Sequence, residues 1–175
     1  MSHARRGGAL ALFTLVCAGC TSAPTVPVAP SVDLPRFMGD WYVIANIPTP
    51  PEKGAHNAVE SYRLAPDGTV ATTFTFREDG FDGPLKTMKP RGFVRPGTQN
   101  AVWGMQFVWP IKAEYVIAHV DADYRETIIA RSRRDYVWIM ARTPVIPDAD
   151  YARLTQRVRE MGYDVAKLQK VPQRW

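Results

Sequence analysis

Ala101-Val102-Trp103-Gly104-Met105-Gln106-Phe107-Val108-Trp109 carries a bulky apolar side chain at every second position until Pro110 ends the run. Successive side chains of an extended chain point to opposite faces. Trp103, Met105, Phe107 and Trp109 therefore share one face, and Val102, Gly104, Gln106 and Val108 the other. Outward from this run the pattern repeats: strand-like runs rich in β-branched and aromatic residues lie at 40–47, 58–65, 69–78, 85–94, 112–120, 125–132 and 136–142. Turn clusters such as Pro66-Asp67-Gly68, Asp79-Gly80, Arg95-Pro96-Gly97 and Asp121-Ala122-Asp123 separate them. Consecutive short strands at nearly even spacing read as an antiparallel sandwich or an up-and-down barrel, and a barrel leaves no exposed edge. The break from Pro48 to Asn57 is far longer than a hairpin turn needs, which marks a lid or binding loop.

One segment is clearly helical. Asp148 and Asp150 favour its start, Tyr151, Leu154, Val158 and Met161 recur on one face, and Gly162 supplies a stop. It is expected outside the sheet, apolar side down, with a last short strand over 168–171. Pro90, in the fourth run, cannot donate to a ladder, so a bulge or local opening is expected there.

The amino end reads as a targeting segment. Arg5 and Arg6 precede an apolar stretch from Gly8 to Ala18, followed by Gly19 and Cys20, an order typical of a secretory signal and too short to span a bilayer. Leu15-Val16-Cys17-Ala18-Gly19-Cys20 resembles the lipobox of bacterial lipoproteins, with Cys17 where that motif usually has leucine. The resemblance implies cleavage before Cys20 and its acylation; the bare residues also fit an ordinary signal peptide with Cys20 a free thiol. The expected organisation is a signal peptide over 1–19, a lipidated Pro-rich tether over 20–33 and one domain over 34–175. Pro24, Pro27, Pro30 and, just beyond, Pro35 favour an extended spacer. Loss of Arg5 and Arg6 with the signal lowers the formal charge from +5 to +3, and the remaining basic residues are scattered, which argues against nucleic-acid binding. With Cys17 removed and Cys20 acylated, no thiol remains for a disulfide, a metal cluster or a nucleophile.

Gly39-Asp40-Trp41-Tyr42 follows a short Leu34-Pro35-Arg36-Phe37-Met38 segment, Asp123-Tyr124-Arg125 falls between the sixth and seventh runs, and Arg142 ends the eighth. These three sites resemble the conserved regions of the lipocalins, and the whole stretch from Leu34 to Pro172 is similar to the bacterial outer-membrane lipoproteins of the Blc type. The resemblance implies an all-β fold: an eight-stranded antiparallel up-and-down β-barrel with one C-terminal α-helix packed outside. It also implies that Trp41 plugs one end while Arg142 lies across its indole.

A pocket follows from strand parity. Phe74 and Phe76 share a face, as do Trp103, Met105 and Phe107, and as do Tyr115, Ile117 and His119. If these faces point inward, Phe74, Phe76, Trp103, Met105, Phe107 and Tyr115 line a cup for an acyl chain, and Glu60, Lys53, His56 and Arg77 meet a headgroup at its rim. The same stripes also fit a filled core; Trp41, Arg142 and Trp138 are expected as structural plug. Burying about a dozen methylenes contributes on the order of 10 kcal/mol before association costs. His119 is expected to be solvated or capping, and no serine elbow, ligand-spaced histidine pair or nucleotide loop is present, so no catalytic residue, metal or cofactor is expected. The expectation is a periplasm-facing outer-membrane protein, anchored through its acylated terminus, that stores or moves a fatty acid or lysophospholipid. Its alternatives are a lipid-modifying enzyme using the same cup and a filled barrel acting as an interaction module. The residues are compatible with a homodimer.

Overall fold

A computed structural model of the protein describes residues 24–175; the expected signal segment and Cys20 lie outside the described residues. A single helical turn, α1 (Leu34–Phe37), leads into β1 (Gly39–Ile47). There follow β2 (Ala55–Leu64), β3 (Val70–Glu78), β4 (Leu85–Met88), β5 (Arg91–Val94), β6 (Val102–Val108), β7 (Ile111–Val120), β8 (Glu126–Ala130) and β9 (Val137–Ala141). The chain ends with α2 (Asp148–Glu160) and β10 (Gln169–Lys170). All pairings are antiparallel: β1 to β9 follow in order around the barrel, with β4 and β5 both paired to β3, β10 pairs with β1, and β9 returns to β1 from Tyr42↔Ala141 to Ile47↔Val137, closing the barrel. β4 and β5 follow one another along β3, through Phe74↔Met88 and then Val70↔Gly92, and form one interrupted strand of an eight-stranded barrel. The interruption falls at Lys89-Pro90, as the missing proline donor requires.

The sheet carries two cores. Inside it, Trp41, Val43, Tyr62, Phe74, Trp103 and Ile117 pack together. Outside it, Ile44, Val116, Ile128 and Ile139 are covered by Leu154 and Val158 of α2, one helical turn apart. β3, buried on one side, alternates along its length, whereas β8 and β9 are buried on both faces and read as almost unbroken apolar runs.

Register shifts interrupt four ladders among the described residues, at His56/Val59 in β2 and Met105/Val108 in β6 as well as in β1 and β7. In β1 the register shifts between Val43 and Ala45, and in β7 between Ile117 and His119. Ile117 faces the inner core, but His119 is turned outward, contrary to the uninterrupted alternation expected from the sequence. The tether expectation also changes: residues 24–33 do not stand off as a spacer but lie along the barrel. Val26, Ala29 and Val32 are buried, and the Ala29 and Val32 amides donate to the carbonyls of Ile117 and Gln99.

Strand directions give the barrel two unlike ends. At one end α1 covers the floor, and the Arg142 guanidinium sits 3.8 Å from the Trp41 ring. It donates to the carbonyls of Arg36 (2.7 Å), Met38 (2.9 Å), Phe37 (3.2 Å), Asp40 (2.8 Å) and Tyr124 (3.2 Å). The Tyr124 hydroxyl accepts from the Asp33 amide at 2.7 Å, and the Arg36 guanidinium covers the Tyr124 ring at 4.3 Å. Gly39 holds φ at +94° to let β1 pass under Arg142, a conformation other residues rarely adopt. The three sequence regions around Gly39-Trp41-Tyr42, Asp123-Tyr124 and Arg142 thus converge on the floor.

Arg142→Ala is expected to lower the unfolding free energy by about 2–4 kcal/mol, from charge-assisted hydrogen bonds and a cation–π contact. Arg142→Lys should recover less than half of it, because one ammonium cannot span the fork. Urea unfolding checks this, and a lysine variant as stable as the parent would contradict it.

Candidate functional site

Above the floor the barrel holds a cavity of about 390 Å³, open to solvent where β1–β2, β3–β4, β6–β7 and β8–β9 connect. Its wall is largely apolar, built by Phe74, Met88, Met105, Tyr115 and Trp138, with Phe107 at the lip. Three acidic side chains, Glu52, Glu60 and Glu114, also border it. The long first loop supplies one of them. β2 begins at Ala55, earlier than expected, and a 3₁₀ turn over Pro50–Glu52 folds the loop across the mouth. There the Glu52 carboxylate accepts from Asn46 Nδ2 at 3.1 Å and Trp138 Nε1 at 2.9 Å. The β1 bulge turns Asn46 inward to make that contact.

Of the residues read from the sequence as ligand contacts, Phe74, Met105, Phe107, Tyr115 and Glu60 border the cavity. Trp103 does not. It is sealed in the floor, stacked on Tyr115 at 5.3 Å and edge-on to Phe37, with Nε1 donating to the Asn100 carbonyl. Phe76 packs against Phe74, at 5.3 Å between centroids, and does not reach the cavity. Glu60 stands beside Trp41 and Phe74 in the ladders, halfway down the cup rather than at the rim. Trp138, expected in the plug, belongs to the mouth because β9 enters there. Glu52 and Met88 were not foreseen, although the length of the first loop was the available signal for Glu52.

The deep part of the cup is polar. The Tyr62 and Tyr115 hydroxyls share a short hydrogen bond, and Tyr62 also bonds Glu60. Burial, only partly offset by that bond, raises the Glu60 pKa from 4.5 to about 7. Burial likewise pushes Glu52 up against the opposing effect of its hydrogen bonds with Trp138, Thr49 and Asn46. Both tyrosines are driven well above the ordinary phenol range, again by burial and then by the Glu60 charge. Near neutral pH the cup therefore holds a carboxyl poised between its two forms within an apolar wall.

His119, expected to be solvated or capping, is half-buried under α2. Its Nε2 lacks a hydrogen-bond partner among the described residues, and burial with Arg157 and Arg153 lowers its pKa. Among the described residues no three His, Cys, Asp or Glu side chains gather as a metal would require.

With the floor closed by Arg142 and the cup open opposite, the likeness to known proteins becomes specific. The model of the lipocalin-like domain matches residues 32–173. The chain belongs to the lipocalin family. This lipocalin is 29% identical to temperature-induced lipocalin-1 of Arabidopsis thaliana over 169 residues, covering 87% of its own chain and 86% of that relative. It is 26% identical to the outer membrane lipoprotein Blc of Escherichia coli K12 over 160 residues, covering 90% and 88% of the two chains. Insecticyanin from the tobacco hornworm Manduca sexta shares the fold, with a TM-score of 0.66 at 15% identity over 86% of this lipocalin and 85% of that chain.

Glu60 gives this lipocalin a defined pH dependence. Its folded-state pKa lies above its unfolded value, so its stabilising contribution, about 3 kcal/mol, is full below pH 4.5 and lost as pH rises through about 7. Glu60→Gln should flatten the stability profile between pH 5 and 7.5 and raise stability at pH 8, read by urea midpoints. A parental slope that survives in this variant would place the titration elsewhere.

Proposed function

We propose that the protein is a membrane-anchored lipid-binding lipocalin that stores or carries a fatty acid or lysophospholipid at the bacterial cell envelope. The observation that carries this reading is the cup itself, with one sealed end, one open end and an aromatic and methionine-rich wall. The acyl chain enters between Phe107 and Trp138 and lies against Phe74, Met88 and Met105, while the headgroup stays outside near the exposed Lys53. A deprotonated Glu60 in the lower cup repels a carboxylate or phosphate, which favours tail-first entry. Volume agrees in kind, since ligand cavities commonly fall between about 300 and 1,000 Å³.

The proposed anchor is an acylated Cys20, exposed as the new terminus once residues 1–19 are cleaved. The relative named as an outer membrane lipoprotein supports the assignment, and Thr21, rather than Asp, after the cysteine agrees with outer-membrane sorting. Among the described residues no helix is long and apolar enough to cross a membrane, so attachment on this reading is by lipid. The protein faces the periplasm, and its mechanism is reversible burial of an acyl chain without chemistry.

Native mass spectrometry of protein extracted gently from its host should show an acyl-bearing adduct on the folded chain. Ala113→Trp, which adds bulk to the cavity wall, should weaken fatty-acid binding at least tenfold while leaving the urea midpoint close to the parent's. Empty protein from the host, together with unchanged affinity in the Trp variant, would rule the reading out.

A further inference from the structure

The mouth of the barrel carries an apolar surface that the cavity does not use. Phe107 is 56% exposed, Val108 68%, Trp109 82% and Ile111 70%, all on the hairpin that joins β6 to β7. Other large exposed apolar side chains of the described surface are spread along the chain, Leu64 at the end of β2, Val145 after β9 and Trp175 beyond β10, and scattered exposure is ordinary for a protein surface. A contiguous group at one tip is not.

The hairpin also projects beyond the wall. On one side the ladder to β5 ends at Arg91↔Gln106, and on the other the ladder to β8 ends at Val116↔Ala130. Residues 107–113 thus pass the ends of both ladders, held by the mutual pairing of β6 and β7, while Tyr115 stays buried in the wall and the Glu114 carboxylate accepts from the amide and hydroxyl of Ser132 on the β8–β9 loop. Leu85, 58% exposed, stands at the same end on β4. The exposed Arg133 lies on the β8–β9 loop beside the mouth, and Lys112, directly after the apolar tip, lays its ammonium over the Phe93 ring at 3.5 Å on the outer wall. Tryptophan and aliphatic side chains at a tip with cations behind them match the chemistry of a bilayer interface, with apolar groups at the acyl boundary and bases among phosphates.

The route of the chain supplies an independent argument. Thr25 is tied to the β8–β9 loop at this same end: its amide donates to Ser132 Oγ at 3.0 Å, its hydroxyl donates to the Ser132 carbonyl at 3.1 Å, and Arg134 Nη2 donates to the Thr25 carbonyl at 3.0 Å. The chain preceding Thr25 therefore joins the barrel on its open side. Between Cys20 and Thr25 the chain reaches at most about 18 Å even when fully extended. A membrane holding Cys20 lies within that reach of the mouth.

We propose that the protein sits mouth-down on a phospholipid bilayer, with Trp109 and Ile111 of the β6–β7 hairpin inserted at the interface, so that the cup exchanges its lipid directly with the membrane. The direction of approach rests on the anchor reading above; the contact rests on the hairpin. On this arrangement a lipid passes from bilayer to cup beside Phe107, which both exposes its ring at the tip and lines the cavity.

The test uses the full chain, processed in its host and reconstituted into vesicles of phosphatidylethanolamine and phosphatidylglycerol. An environment-sensitive fluorophore is placed on Trp109→Cys or, as a control at the closed end, on Leu64→Cys. The expected result is blue-shifted emission, quenched by brominated lipid, from position 109 and neither effect from position 64. Trp109→Ser combined with Ile111→Ser should slow lipid transfer to acceptor vesicles about tenfold or more while leaving equilibrium fatty-acid affinity unchanged, since neither side chain borders the cavity. Signal from position 64 instead of 109, signal from neither, or a blue shift at 109 that grows with protein concentration in the absence of vesicles, as pairing of two copies would give, overturns the proposal. Mass spectrometry of the processed terminus reports separately on Cys20. If it is not acylated the anchor reading falls, and binding of the labelled protein to added vesicles then decides for or against the hairpin contact.

Discussion

A single guanidinium closes the barrel. Arg142 lies 3.8 Å from the Trp41 ring and donates to five main-chain carbonyls drawn from α1, the start of β1 and the β7–β8 turn. Several of these carbonyls belong to or follow α1, a helix too short to satisfy its own acceptors. No other side chain presents a planar, permanently charged fork that can serve so many acceptors at once. Because this network and the Trp41 indole seal one end, the empty space within the barrel communicates with solvent only at the other. Every functional inference drawn from the cavity depends on that asymmetry.

Packing is graded along the barrel axis. The floor is dense, with the Phe37 ring against Trp41, Tyr62 and Trp103, and Tyr62 edge-on to Trp103. The flank formed by β7, β8, β9 and β1 is buried on both faces, inside by the inner core and outside by α2 and the segment around Val26. Toward the mouth the support thins: the β6–β7 hairpin continues past its ladders to β5 and β8, tied to the β8–β9 loop through the hydrogen bonds of Ser132 to Glu114. A rigid base with a less constrained rim suits reversible binding, since the parts that must move are those making the fewest contacts.

Polar groups in the cup bear on selectivity more than on stability. Glu60, Tyr62 and Tyr115 form a hydrogen-bonded cluster beneath an apolar wall, and burying a carboxyl there costs enough to hold its pKa near 7. A core selected for stability alone would favour apolar residues at these positions. Glu52 stands higher up, bridged to Trp138 and Asn46, and fixes the first loop over the opening.

Much of this was legible in the residues alone. Alternation and turn clusters marked every barrel strand, Pro90 marked the break between β4 and β5, and the spacing of Leu154 and Val158 marked the face that α2 buries. Those features are local, because the pleat, the proline ring and the helical turn act over a few neighbouring residues. The site was only partly legible. Bulges at Val43/Ala45 and Ile117/His119 reversed parity in mid-strand, so Asn46 turned inward and His119 outward against a count by twos. The depth of each inward residue depended on how strands stagger around a closed barrel, which sealed Trp103 in the floor and brought Trp138 to the mouth. The sequence by itself determined the strands and the outer helix, and its resemblance to the lipocalins implied the pairing of Trp41 with Arg142. Only the tertiary structure decided which stripe is cavity, which is floor, and that residues 24–33 pack along the barrel from the open end to the floor, because register and closure are set by contacts between residues far apart in the chain.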